Sequence, residues 1–480
     1  MVMNPTSNRR QILQSASVGF GWLALQSLLA MDSDRARADE VRGAERRAAA
    51  ETQNRRSRLG RVRSVVLCFM DGGPSHVDTF DPKPMLTKHA GEKVGEHSTN
   101  ALYNDRNRMW LPSPWEFQQR GQSGLWVSSL FPQIAGIVDD ICVVRSMVGH
   151  LPLHGQQNLL LHTGRVTGQH PSVGAWVSYG LGTDNQDLPG FVLLNNDWVP
   201  NGGMENFGNS YLPASHQATM VRAKGSPVDN IIPADTAELQ RRKLALLAEQ
   251  NLDFAGKSSA TTKIESAIAN YETAFRMQSA LPKHIDLCQE TAHSQTLYGI
   301  GSKDEHQNYY AMQMLRARRL VEAGVRFIEV TCPSFDGNNS PWDQHGALKA
   351  NHEKNARVTE QSVAALIRDL KQRGLLEETL VVWAGEMGRT PHSPSKDGRD
   401  HHINGYSIFL AGGGIRGGTT YGSTNDFGEA VAENPVTIHD IHATMLHLLG
   451  VDHERLTYRH GGRDHRLTDV HGNVLHEILS

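Results

Sequence analysis

From Ser64 to Met70 the chain reads SVVLCFM, an apolar run with no polar alternation, cut off by Asp71-Gly72-Gly73-Pro74. Such a run predicts a strand covered on both faces, as in a parallel sheet. Shorter runs of the same kind predict strands at Ile141–Ser146, Val192–Leu194, Val325–Thr331, Thr379–Ala384 and Ser407–Leu410. Between them apolar residues recur at helical spacing. Phe131–Val138 and Gln156–His162 predict short helices, the second stopped by Gly164. Tyr309–Glu322, Val358–Gln372 and Ile441–Leu449 predict longer ones, stopped by Gly324, Gly374 and Gly450. Helices alternating with buried strands predict an α/β fold, a mostly parallel central sheet with helices on both faces. Thr236–Ala255 and Thr261–Ser279 are amphipathic and highly charged, and predict a helical insertion at about 236–280 on the outside of the domain.

The N-terminus changes the picture of where the fold begins. Arg9-Arg10 precedes a modestly apolar stretch, Val18–Ala30, and Ala36-Arg37-Ala38 offers a cleavage site, so residues 1–38 resemble a twin-arginine export signal. Residues 39–61 are rich in Arg, Ala and Glu without apolar periodicity and read as a charged linker, which leaves 62–480 as a single α/β domain. A periplasmic or extracellular protein follows, with no membrane span in the mature chain. The formal net charge of -3, with mixed signs throughout, gives no basis for nucleic-acid binding. Cys68 and Cys332 fall in strands and read as buried small hydrophobes rather than as a disulfide framework. The sequence sets no oligomeric state.

Candidate chemistry gathers at strand ends. Asp71 ends the first strand, where it either caps the turn or binds a metal. Val325–Thr331 leads through a loop to Trp342-Asp343-Gln344-His345; Thr379–Ala384 leads to Gly385-Glu386; the next loop carries Arg399-Asp400-His401-His402. If these strands are parallel, Asp71, Asp343, His345, Glu386 and one of His401 or His402 meet at one sheet edge, where ligand sites of open α/β sheets lie. Carboxylates and imidazoles together suit one or two divalent ions, Zn, Mn or Ca, and suit Mg less. Arg389 and Arg399, in the same loops, either clamp an anion or pair with a neighbouring acid. Trp342 either stacks on a sugar ring or fills the core.

The succession VVLCFMDGG, LLLHTG, WDQH, VVWAGEMGRTP, GRDHH and TIHDIHATMLHLLGVD, with GGPSHVDTFDPKP and GRDHRLTDV, resembles the exported bacterial family called domain of unknown function 1501, from about Val62 to Ser480. That family is similar to the alkaline phosphatase and sulfatase superfamily. The resemblance implies an alkaline phosphatase-like fold and a metal site that hydrolyses esters. It implies metal-binding roles for Asp71, for Asp343 with His345, for Glu386, whose usual following His is replaced by Met387, and for His401 or His402. Asp440 matches an Asp that begins a late helix, and is read mainly as its cap. The position that holds a formylglycine, Ser or Thr nucleophile in the superfamily falls on His154, counting back from Leu161-His162-Thr163-Gly164. His154 then either ligates a metal, acts as a base, or marks a site that has kept binding and lost hydrolysis. Ser75 and His76 stand near Asp71 as further catalytic candidates, and Asp78 either assists them or holds the turn. The resulting expectation is an exported metal-dependent hydrolase acting on a sulfate or phosphate ester, a small molecule or a polysaccharide. The alternative is a non-catalytic binding or assembly protein.

Overall fold

In the computed structural model, strand β1 (Ser64–Phe69) is buried along its whole length. Its side chains divide by parity: Val65, Leu67 and Phe69 enter one apolar cluster, while Val66 and Cys68, followed by Met70, enter another. An unbroken apolar run has this consequence, because successive side chains point to opposite faces of a sheet. The structure describes residues 62–94, 108–229, 231–256, 261–335, 340–393 and 397–480. The expected signal segment, 1–38, and linker, 39–61, lie outside the described residues, all of which fall in one compact unit, Arg58–Ser480.

Seven further strands join β1: β2 (Ile141–Met147), β3 (Phe191–Asn195), β4 (Thr219–Arg222), β5 (Phe327–Thr331), β6 (Thr379–Ala384), β7 (Tyr406–Ala411) and β8 (Thr419–Tyr421). They lie in the order β8-β2-β7-β6-β1-β5-β3-β4. Every neighbouring pair is parallel except those of β7, which runs antiparallel to both β2 and β6. The reversal has a local cause. The segment after β6 does not cross over to the far edge; it stays at the edge where β6 ends, folding into short ladders of Gly388–Arg389 with His401–His402 and of His392–Ser393 with Met109–Trp110. The next strand must therefore leave that edge in the opposite direction. Phe69 sits beside Thr331 on one side and Ala384 on the other, so the chain leaves β1, β5 and β6 at the same level.

The long helices are α1 (His154–Thr163), α2 (Val173–Leu181), α3 (Ala237–Gly256), α4 (Thr261–Ile285), α5 (Glu305–Glu322), α6 (Leu348–Gln372) and α7 (Ile438–Leu448). Leu160 and Leu161 of α1, Trp176 of α2 and Met445 of α7 pack on the Val65 face; Met314 and Leu315 of α5 and Val363 and Leu366 of α6 pack on the Val66 face. Helices α3 and α4 form in the stretch where two helices were expected, and α4 runs on past the expected Ser279 to bury Leu281 and Ile285 in the Val66 cluster.

Three expectations change. Phe131–Val138 becomes a 3-10 turn, Ile134–Asp140, and α6 begins at Leu348 rather than Val358. Its first turns bury the polar His352 and Asn355, which hides the helix from an apolar-spacing argument. Strands β4 and β8 were not expected, because both are short edge strands with few fully buried residues. Asp440 does help cap α7, as its third residue and the partner of the N-cap Thr437 in a reciprocal capping box. Among the described residues no helix is long and apolar enough to cross a membrane.

Candidate metal centre

Asp71 leaves β1 fully buried. The two glycines after it have φ of +106° and +75°. A Cβ on Gly72 would lie 2.6 Å from the backbone nitrogens of both Trp342 and Asp343, and one on Gly73 would lie 2.7 Å from the Met387 carbonyl. Only glycine lets the three strand-end segments meet this closely. The Gly72 N–H then donates to both carboxylate oxygens of Glu386, at 3.1 and 3.0 Å, and the Trp342 N–H donates to the Asp71 carbonyl at 3.0 Å.

Helix α1 supplies the next layer, its first residue being His154. Nδ1 of His154 is 2.5 Å from Glu386 Oε1, and Nε2 is 3.3 Å from Asp343 Oδ2. One turn on, Asn158 donates from Nδ2 to Asp71 Oδ1 at 3.2 Å and to the Asn201 carbonyl at 2.9 Å. Gln157 donates to the Glu386 carbonyl at 3.0 Å, and its Oε1 accepts the N–H groups of His150 and Leu151. The sequence reading missed Gln157 and Asn158. The signal was present, since residues three and four beyond His154 share its helix face.

The loops after β5 and β6 complete the arrangement. Asp71, His154 and Glu386 form one group of donor atoms, and His154, Asp343 and His401 a second, the atoms in each lying within 4.8 Å of one another. His154 belongs to both. His401 donates from Nδ1 to the Pro152 carbonyl at 2.7 Å, which leaves Nε2 facing Asp343 Oδ1 at 3.3 Å. His345 is outermost, its side chain 46% exposed, with Nε2 3.0 Å from Asp343 Oδ1 and Nδ1 2.8 Å from Asp400 Oδ1. Burial, and then the neighbouring Glu386, push the Asp71 carboxyl well above the usual range. Burial opposes the charge on His154, but Asp343 and Glu386 lift its imidazole to about 9. Asp343 is held far below the usual carboxylate range despite burial, by Arg389 and by hydrogen bonds from His154, His345 and His401.

Other expected residues lie elsewhere or are already engaged. Arg389 is fully buried, with Nη1 2.5 Å from Asp343 Oδ1 and the rest of its fork on the Gly72 and Gly73 carbonyls. Arg399 is equally buried and grips Asp78 through two contacts, 2.7 and 3.1 Å, while also donating to the Thr390 and Leu111 carbonyls. Its donors all face inward. Arg399 is therefore a brace with Asp78, which differs from the expected anion clamp because no part of the guanidinium reaches solvent. Ser75 and His76 sit in that buried layer, His76 bonded through Nε2 to the Gly428 carbonyl at 2.8 Å. His402 stacks on His76 at 5.6 Å and points away from Asp343, so of the two adjacent histidines the cluster takes His401. Trp342 is fully buried in the Val66 core, against Phe131 and His352, and is no sugar platform.

The donors fit a divalent ion. Asp71 Oδ2 and Asn158 Oδ1 are buried with no hydrogen-bond partner, a costly state that a cation would relieve. Carboxylate oxygen and imidazole nitrogen together are a set that Zn or Mn accepts.

The family model described as "Protein of unknown function (DUF1501)" matches residues 62–479. No curated protein matches the chain. Among solved structures the chain is similar to the lipoteichoic acid synthase LtaP from Listeria monocytogenes, with 9% identity and a TM-score of 0.33 over 82% of this chain and 73% of that one. It is also similar to the PsFucS1 sulfatase from Pseudoalteromonas sp., with 14% identity and a TM-score of 0.33 over 85% and 72% of the two chains. The alkaline phosphatase from the Antarctic bacterium TAB5 shares 9% identity and a TM-score of 0.32 over 78% of this chain and 97% of its own.

Proposed function

We propose that this chain, which belongs to the DUF1501 family, is an exported metal-dependent hydrolase that cleaves a sulfate or phosphate ester of a carbohydrate. The observation that carries this reading is the pair of donor groups joined through His154 at one edge of the sheet. Asp71, His154 and Glu386 would hold one ion; Asp343 and His401, with His345 beside them, would hold or border a second. The mixture of imidazole and carboxylate favours Zn or Mn over Ca. A bound ion supplies Lewis acidity toward an ester oxygen.

The chain's own residues account for the rest. Arg389 neutralises and fixes Asp343. Asn158 fixes the orientation of Asp71, and Gln157 ties α1 to the Glu386 backbone. His345 is the exposed donor that an arriving ester would meet first, steadied through Nδ1 by Asp400. Because α1 begins with an imidazole and not with a hydroxyl or thiol, hydrolysis by direct attack of water is the version that this sequence supports. The twin-arginine-type segment supports export.

The test is metal analysis of the purified protein, with turnover of aryl sulfate and aryl phosphate after loading with Zn, Mn or Ca. Bound metal and turnover of one ester are expected; neither metal nor turnover would sink the reading. A non-catalytic binding protein is the second reading, favoured by His154 at the nucleophile position and the buried Met387 after Glu386. Ligand binding without turnover of either ester, in the metal-loaded parent and in His154→Ala alike, would support that second reading.

A further inference from the structure

Beyond the C-terminal end of α1 lies an open cavity of about 1050 Å³, bordered by Thr167–His170, Glu205, Tyr211, His460 and His465. None of these residues belongs to the carboxylate and imidazole cluster. Its walls come from three separate segments. The 3-10 turn Gly203–Phe207 carries Glu205; the loop after α1 carries Gln169 and His170; and the hairpin of Tyr458–His460 with Arg463–His465 closes the third side.

Four of the lining residues carry rings. Tyr211 lies nearly parallel to His460, with centroids 4.8 Å apart and 15° between planes, and nearly parallel to Tyr458 at 6.0 Å and 19°. His465 is 4.9 Å from the same ring, and His170 meets it edge-on at 6.1 Å. Flat amphipathic rings of this kind present an apolar face and a polar tip. Around them stand hydroxyl, amide and carboxylate groups suited to bonding a polyhydroxylated ligand.

The backbone here is held in an uncommon conformation. Gln169 and Ser210 have φ of +66° and +45°, and Ser210 Oγ donates to the Gln169 carbonyl at 2.6 Å, locking one to the other. A Cβ on Gly168 would fall 1.6 Å from Glu205 Oε2, so glycine there makes room for the carboxylate, which accepts the Gln169 N–H at 3.2 Å. Left-handed non-glycine residues cost free energy and gather where a ligand is held.

Charge narrows the ligand class. Arg165 and Arg463 share Asp469 and Arg459 pairs with Asp464, so three guanidinium groups face two carboxylates nearby, with Glu205 a third on the cavity wall. Burial, helped by the neighbouring arginines, lowers His170 and His465, which favours their uncharged forms. Such a lining suits uncharged hydroxyls better than a bare phosphate or a nucleic-acid backbone.

We infer that this cavity is a saccharide-binding subsite that takes uncharged sugar rings on the Tyr211 and His460 faces. It rests on the carbohydrate-ester reading for what the bound sugar is joined to. Helix α1, ten residues and about 15 Å long, separates its far end from His154. Asn201, which leads into the Glu205 turn, accepts from Asn158 in the metal centre, so one connected wall joins the two places. A short oligosaccharide would span that distance with its ester group at the centre.

The full chain is tested on an array of neutral and sulfated oligosaccharides, and the best-bound neutral glycan is then titrated calorimetrically, with and without EDTA. Binding of at least one glycan, unchanged by EDTA and weakened tenfold or more by Tyr211→Ala and by His460→Ala, is expected. His460 is exposed on its hairpin, so its variant keeps the test decisive if Tyr211→Ala folds poorly. No glycan above background, or a Kd untouched by His460→Ala, would overturn the inference. Since binding is read without turnover, loss of the hydrolase reading leaves this result standing, and ester turnover without glycan binding refutes only the subsite.

Discussion

Replacing Arg399 with Met tests whether the buried arginine is a brace or an anion clamp. The substitution keeps most of the apolar stem and removes the fork that meets Asp78 at 2.7 and 3.1 Å, with both side chains fully buried. At a charge separation of roughly 4 Å and an effective dielectric of about 20, the attraction lost is about 4 kcal/mol. Stranding one member of a buried pair costs about 3–5 kcal/mol in measured cases, which agrees. The sign with pH follows from Asp78, whose carboxyl Arg399 holds below its usual value despite burial. In the parent that stabilisation is present above the unfolded value of about 3.9 and disappears as pH falls through the lower folded one. In Arg399→Met the unpaired, buried carboxyl prefers its proton, so the deficit shrinks as pH is lowered. Guanidinium unfolding of parent, Arg399→Met, Asp78→Asn and the double variant, between pH 4 and 8, reads both effects. The double variant should be more stable than the sum of its parts by roughly 0.5–3 kcal/mol. A loss below about 1 kcal/mol at pH 7, accompanied by weaker inhibition by free sulfate, would refute the brace and restore the clamp.

Three further outcomes follow from the same geometry. Chelation with EDTA should lower the melting midpoint of metal-loaded protein, by the equivalent of about 2.7 kcal/mol if the ion was present at a hundred times its Kd; Asp71→Asn and Glu386→Gln should each lower the metal content measured by mass spectrometry, and full retention in both would count against the assignment. Gly72→Ala should cost at least about 2–3 kcal/mol, from a left-handed backbone together with a Cβ driven onto the Trp342 and Asp343 nitrogens, and a differential scanning calorimetry trace matching the parent would show the loops to be more pliable than their packing implies. Burial raises the Glu360 carboxyl to about 7 even though it accepts the Gln133 and Ile134 N–H groups, so native protein binds the proton more tightly and stability should fall as pH rises from about 4.3 through 7; Glu360→Gln should flatten that slope, and an unchanged slope would assign it to another group.

The alternation of buried strands with helices was legible because burial on both faces forbids polar positions, and an unbroken run such as SVVLCFM has few other ways to satisfy that demand. The residues closing each strand were legible for a related reason. A parallel sheet delivers every strand end to one edge, so Asp71, Asp343, His345 and Glu386 could be grouped from order alone. What order could not decide was side-chain direction. His401 and His402 are adjacent on one short strand and point to opposite faces, and only the ladder with Gly388–Arg389 settles which one meets Asp343. Arg389 and Arg399 look alike in sequence, yet one neutralises Asp343 while the other is spent on Asp78, more than three hundred residues away along the chain. The wall around Tyr211 gave no sequence signal, since it joins three segments with no shared motif. Thus the sequence determined the layers and the sheet edge, through local periodicity and burial. The tertiary structure decided which donors converge there, because convergence depends on long-range contacts that no local pattern encodes.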